Sequence, residues 1–134
     1  MHHFPGMPPR VTIHWQHLPD DLRGATDGRE RIWIDPRLTL VEQRCTLVHE
    51  LVHLEWGHYG CQPAWSEARV RRETARRLIT LPALYEAATW AYSAAEAAAE
   101  LQVTEDVLHD RLAALDARER WELHETILRV RNHG

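Results

Sequence analysis

The chain has 134 residues, 44% of them hydrophobic and 27% charged, which suits one soluble globular domain with a single core and excludes a disordered or fibrous protein. A formal charge of −4, with all 16 basic residues Arg, provides no general electrostatic pull toward nucleic acid or acidic lipid. Two cysteines, Cys45 and Cys61, exclude a disulfide-built secreted scaffold, and no stretch is long and apolar enough to span a bilayer.

Along the chain, residues 1–10 read as a loose arm, with Pro and Gly where a signal peptide would need an apolar run, so a cytoplasmic protein is expected. "VTIHW" (11–15) and "RIWID" (31–35) read as short strands. Pro19, Gly24 and "TDG" (26–28) supply turn chemistry between them, and Asp35-Pro36 ends the second. Thr39 with Glu42 fits a capping box, so a helix begins near Leu40 and stops near Gly57. Residues 59–63 read as a loop. Helices follow over about 66–81, 83–92, 94–100, 105–115 and 117–131, two of them opened by the capping pairs Ser93/Glu96 and Asp116/Glu119. The expected class is α+β: a small N-terminal sheet on the first helix, then a helical C-terminal half, in one domain of 1–134 with a core over 1–92 and a subregion over 93–134.

The first helix carries "CTLVHELVHLEWGH" (45–58), in which His49, Glu50 and His53 form H-E-x-x-H. Residues i and i+4 share a helix face, about 5–6 Å apart at Cβ, which suits two imidazoles on one tetrahedral Zn²⁺. Glu50, one position on, stands where it takes a proton from the attacking water and later delivers one to the leaving amine. His49, His53, Thr46 and Glu50 share one polar arc of an otherwise apolar helix, and polar groups confined there need a partner. The bland alternative is a chance histidine pair bonded to backbone.

A catalytic zinc takes three protein ligands and an open position. At ~100° per residue, Glu67 shares a stripe with Val70, Arg71, Thr74 and Leu78, whereas Glu73 lies among Arg69, Arg72 and Arg76, as solvated salt-bridge partners do. Glu67 is the expected third ligand and Glu73 the alternative. Cys45 reads as a small buried residue and His58 as a rim residue of the loop; Arg71, on the buried stripe, could pair with Glu67 or meet a substrate carbonyl.

"RCTLVHELVHLEWG" followed by "EARVRRETARRLITLPAL" resembles the ImmA/IrrE family of small zinc metallopeptidases, above all short members from actinobacterial genomes and phages, over roughly residues 22 to 115. The resemblance implies a minimal zincin-like fold, zinc held by His49, His53 and a glutamate of the next helix, with Glu67 in the matching position, and Glu50 as the catalytic residue. It also implies regulatory proteolysis, in which a partner DNA-binding repressor is cleaved or inactivated. "RIWID" is then the expected sheet edge along which an extended peptide docks.

A rival class is a binding module, including a toxin–antitoxin component. "SAAEAAAELQVTEDVLHDRLAAL" (93–115) reads as a helix-turn-helix, but its second helix offers Glu105, Asp106, His109 and Asp110, with Arg111 the one phosphate-seeking group, a poor surface for DNA. Neither direct nucleic-acid binding nor a membrane partner is expected. The last helix, with Trp121, Ile127, Leu128 and Val130, is core or a partner surface.

Overall fold

The computed structural model describes residues 10–133, so most of the expected N-terminal arm lies outside the described residues. The order of elements is β1 (Thr12–Trp15), β2 (Gly24–Thr26), β3 (Arg31–Ile34), α1 (Leu40–Glu55), α2 (Ala64–Leu78), α3 (Leu81–Trp90), α4 (Ala94–Leu101), α5 (Glu105–Ala113) and α6 (Ala117–His133). The class is α+β, as expected. The chain divides into two compact units, residues 1–74 and 75–134.

In the first unit the strands form a sheet of order β1-β3-β2, with β1 parallel and β2 antiparallel to β3. Two-residue alternation in β3 sends Ile32 and Ile34 to one face, where they join Val11, Ile13 and Leu54 in a buried cluster flanked by Leu38, Leu47 and Leu51. Trp33 turns to the other face and stacks on His14, its partner in β1. At the end of β3 the buried Asp35 accepts from the Leu18 amide at 3.0 Å and from the Arg37 guanidinium at 2.6 and 2.9 Å. The Arg37 hydrogen bonds hold its carboxyl well below the usual range, and the Leu18 amide bond ties the chain after β1 to the sheet.

Two sequence expectations change here. "RIWID" is not an edge: β3 is paired on both sides, and the strand beside it, β2, occupies residues that read as turn chemistry. Three residues are too few to show alternation, and Gly24 is a poor strand former whose place is set by a close approach described below. The second helix stops at Leu78 because the Thr80 hydroxyl accepts from Ala83 N–H and starts α3, where Pro82 sits in a first turn that needs no amide from it.

Both ends of α1 are fastened. The Thr39 hydroxyl accepts from Glu42 N–H at 3.1 Å and the Glu42 carboxylate from Thr39 N–H at 2.9 Å, a complete capping box. At the other end Gly57 adopts φ +71, His58 N–H donates to His53 O at 2.9 Å and Gly57 N–H to Leu54 O at 3.1 Å. Those two bonds are the Schellman closure, which folds residue 58 back over the last turn.

In the second unit, buried Leu84, Ala87, Ala98, Val103, Leu108 and Leu115 come from α3, α4, α5 and their connections. Tyr85 O–H reaches Glu122 Oε2 and Glu119 O, each at 3.2 Å, linking α3 to α6. The α4–turn–α5 unit is present, with Gln102 left-handed at the turn. Arg111, however, is buried and its Nε donates to Ile79 O at 2.8 Å, so the cation expected to seek phosphate is used internally. On α6, Trp121, Leu128 and Val130 are exposed. No helix among the described residues is long and apolar enough to cross a membrane.

Replacing Thr39 by Ala should cost about 1 kcal/mol through the lost cap, and Gly57→Ala about the same through the left-handed backbone. Urea unfolding of each variant beside the wild type measures both.

Candidate metal centre

His49, Glu50 and His53 all come from α1, whose Leu47, Leu51 and Leu54 pack on the sheet; the two histidines lie on the far side of the helix from these leucines, and Glu50 lies between, against β2. Glu67 arrives from the first turn of α2, which starts after Pro63, whose carbonyl accepts from the Ser66 and Glu67 amides. A carboxylate in a helix's first turn lies in favourable potential. His53 Nε2 stands 3.2 Å from Glu67 Oε1 and His49 Nε2 3.5 Å from Glu67 Oε2. One ligand atom from each of the three residues lies within 4.8 Å of the other two, and they are the metal-capable group found among the described residues. Glu73 is not part of it.

The chemistry of this cluster fits a divalent cation. Atoms bound to a tetrahedral zinc at about 2.0–2.2 Å stand about 3.3–3.6 Å from one another, a spacing that three ligand atoms within 4.8 Å of one another reach by drawing in modestly. Burial is the largest influence on both histidines and pushes each below its ordinary value, so neutral rings with a lone pair are favoured. Two neutral nitrogens turned toward one carboxylate leave an electron-rich point that a cation neutralises.

Glu50 is buried beside them, and its carboxyl is pushed up to about 7, first by burial and then by the charge of Glu67. A carboxyl that titrates near neutrality is suited to both accept and return a proton. The four side chains open on a cleft of ≈ 380 Å³ whose other wall is β2, with Gly24, Ala25 and Thr26.

Gly24 permits that wall. A Cβ there would lie 2.5 Å from Thr46 Cγ2 and 3.1 Å from Glu50 Cγ, so only glycine brings the strand against α1 at this point. Among the described residues no strand pairs with the outer edge of β2. Asp35 N–H bonds to Arg23 O and Asp27 N–H to Arg31 O, which makes Ala25 the hydrogen-bonded position between them and turns the backbone groups of Gly24 and Thr26 away from β3.

Other residues singled out by sequence fall variously. Cys45 is buried, and Cys61 is exposed on the cleft wall. Arg71 is exposed rather than on a buried stripe, because Val70 and Thr74 occupy the buried side of α2; its charge nevertheless acts on His49. His58 is more than a rim residue: it lines the cleft, and its Nδ1 lies 3.0 Å from Nδ1 of His53. The signal for it was Gly57, since a glycine just past a helix end turns the next residue back onto the last turn.

A small α+β domain with H-E-x-x-H on the helix under its sheet, and a carboxylate delivered by the next helix, has the organisation of a zincin-like peptidase. The family model Peptidase_M78, described as the IrrE N-terminal-like domain, matches residues 16–127, and the chain belongs to that family. Its membership supports a peptidase activity, and the family is generally metal-dependent. Neither the curated proteins nor the solved structures contain a match.

Gly24→Ala should destabilise by about 1–3 kcal/mol through overpacking, and Thr46→Ser, which removes the methyl in the way, should recover part of the loss in a double-mutant cycle. The metal-free protein should also show the raised Glu50 titration. Below the ordinary value of 4.5 both folded and unfolded chains hold the proton, and between 4.5 and about 7 only the folded chain does. The stability advantage of Glu50→Gln over wild type should therefore grow across that window in thermal melts; a constant difference would contradict it.

Proposed function

We propose that this chain is a zinc-dependent metalloendopeptidase, with His49, His53 and Glu67 as metal ligands and Glu50 as the catalytic acid–base. The observation that carries the reading is the convergence of His49 Nε2 and His53 Nε2 on the two oxygens of Glu67, at 3.5 and 3.2 Å. When bound, a zinc ion polarises water and the scissile carbonyl as a Lewis acid. Glu50, buried beside the ligands, takes the proton from the attacking water and hands it to the leaving amine nitrogen. An extended peptide docks along β2, using the outward backbone groups of Gly24 and Thr26, and lies across the cleft beside Glu50.

The substrate we favour is a partner DNA-binding repressor, cut or inactivated in the control of a phage, a mobile element or a stress response. We take residues 1–134 as one metallopeptidase domain with a helical subregion over 93–134, acting in the cytoplasm, where the Cys45 and Cys61 thiols stay reduced. The exposed Trp121, Leu128 and Val130 of α6 are a surface for gripping that partner. A helix-turn-helix binder acting without proteolysis has less support, because Arg111 is buried and bonded internally.

Elemental analysis of untagged protein should give one zinc per chain, lost in His53→Ala and Glu67→Ala and kept in Glu73→Ala. Glu50→Gln should keep the metal and cut a neighbouring repressor about 10²–10⁴-fold more slowly. With that variant, hydrogen exchange should find the Gly24 and Thr26 amides protected by bound peptide. A metal-free wild type would end the peptidase reading.

A further inference from the structure

His58 has no place in the reaction as described, yet it is held with unusual care. The Schellman closure bonds its amide to the carbonyl of His53 at 2.9 Å, so backbone and side chain return to the same residue. Its half-buried ring sits between two others, with centroids 5.2 Å from His53 and 5.8 Å from Trp56, the latter edge-on. The Arg69 guanidinium lies over Trp56 at 5.9 Å and fixes the outer end of this row.

The tautomers follow from which nitrogen faces what. Nε2 of His53 turns to Glu67, so it is the atom with the lone pair for a metal. With a metal on Nε2 the ring proton would reside on Nδ1, and the group facing Nδ1 at 3.0 Å is Nδ1 of His58. His58 must accept there, with its own proton on Nε2. A ligating imidazole commonly gives its second N–H to a carboxylate, a carbonyl or water. Here the next imidazole takes it.

We infer that His58 is a positioning residue for the metal centre: by accepting the Nδ1 proton of His53 it holds that ring in the tautomer and orientation that ligate zinc. The inference rests on the metallopeptidase reading and assigns it one more residue. Asn offers an amide oxygen near the place of Nδ1, whereas Phe keeps the ring's bulk and offers no acceptor.

Zinc affinity, measured by competition with a chromophoric chelator on the full chain, separates these possibilities. Each variant's metal-free melting temperature and far-ultraviolet circular dichroism are recorded beside it. His58→Phe should bind zinc about 10–100-fold more weakly, with the metal-free fold retained, and His58→Asn should recover most of the loss. Ring nitrogen shifts of the zinc-loaded wild type should place the His53 proton on Nδ1. Wild-type affinity in His58→Phe, or an equal loss in His58→Asn, would overturn the role of His58 and leave the peptidase reading standing. A wild type that binds no zinc would overturn both.

Discussion

Taking two imidazoles and a carboxyl out of water on one helix is unfavourable for their charged forms, and α1 does this with His49, Glu50 and His53. The arrangement makes physical sense only because Glu67 is brought to the same point from α2. Together the four groups can share a cation and a proton, which none could do alone. The rest of the first unit is arranged so that α1 can bear this load. It is anchored to the sheet through Leu54 and its neighbours, and both of its ends are closed by bonds of known type.

The same helix also forms one wall of the cleft, which makes its distance from β2 critical. Gly24 sets that distance, because any side chain there would meet Thr46 and Glu50. A short strand that would be weak by propensity is kept at the place where its free edge lies beside Glu50 and the three candidate ligands. The width of the cleft thus depends on a single missing methyl group. The Schellman turn plays a comparable part at the other end of the site, since the bond that ends α1 also brings His58 to His53.

Much of this was legible in the linear order of residues. H-E-x-x-H repeats at the period of a helix, Thr39 and Glu42 sit three apart as a capping box requires, and Glu67 falls in phase with Val70 and Thr74 on the inner side of α2. These are local relations, determined by the 3.6-residue turn, and the chain carries them whatever it packs against. The α+β class followed from the same periodicities. Arg71 lies further out than its wheel position suggests, since a residue next to a buried one on a helical wheel can still reach solvent.

What only the tertiary structure decided are the relations between elements. β2 was hidden because three residues show no alternation and its pairing partner, β3, lies five residues away across a turn. Hydrophobic patterning says that β3 is buried, not how many neighbours it has, so its interior place in the sheet is invisible in the sequence. Arg111 read as a free cation because the carbonyl of Ile79 that receives it is 32 residues earlier. His58 read as a bystander because an imidazole's role depends on which nitrogen faces which neighbour. The sequence by itself determined the helix, its polar arc and the identity of the groups on it; distances of a few ångströms across separate elements, which alone make those groups a site, were left to packing.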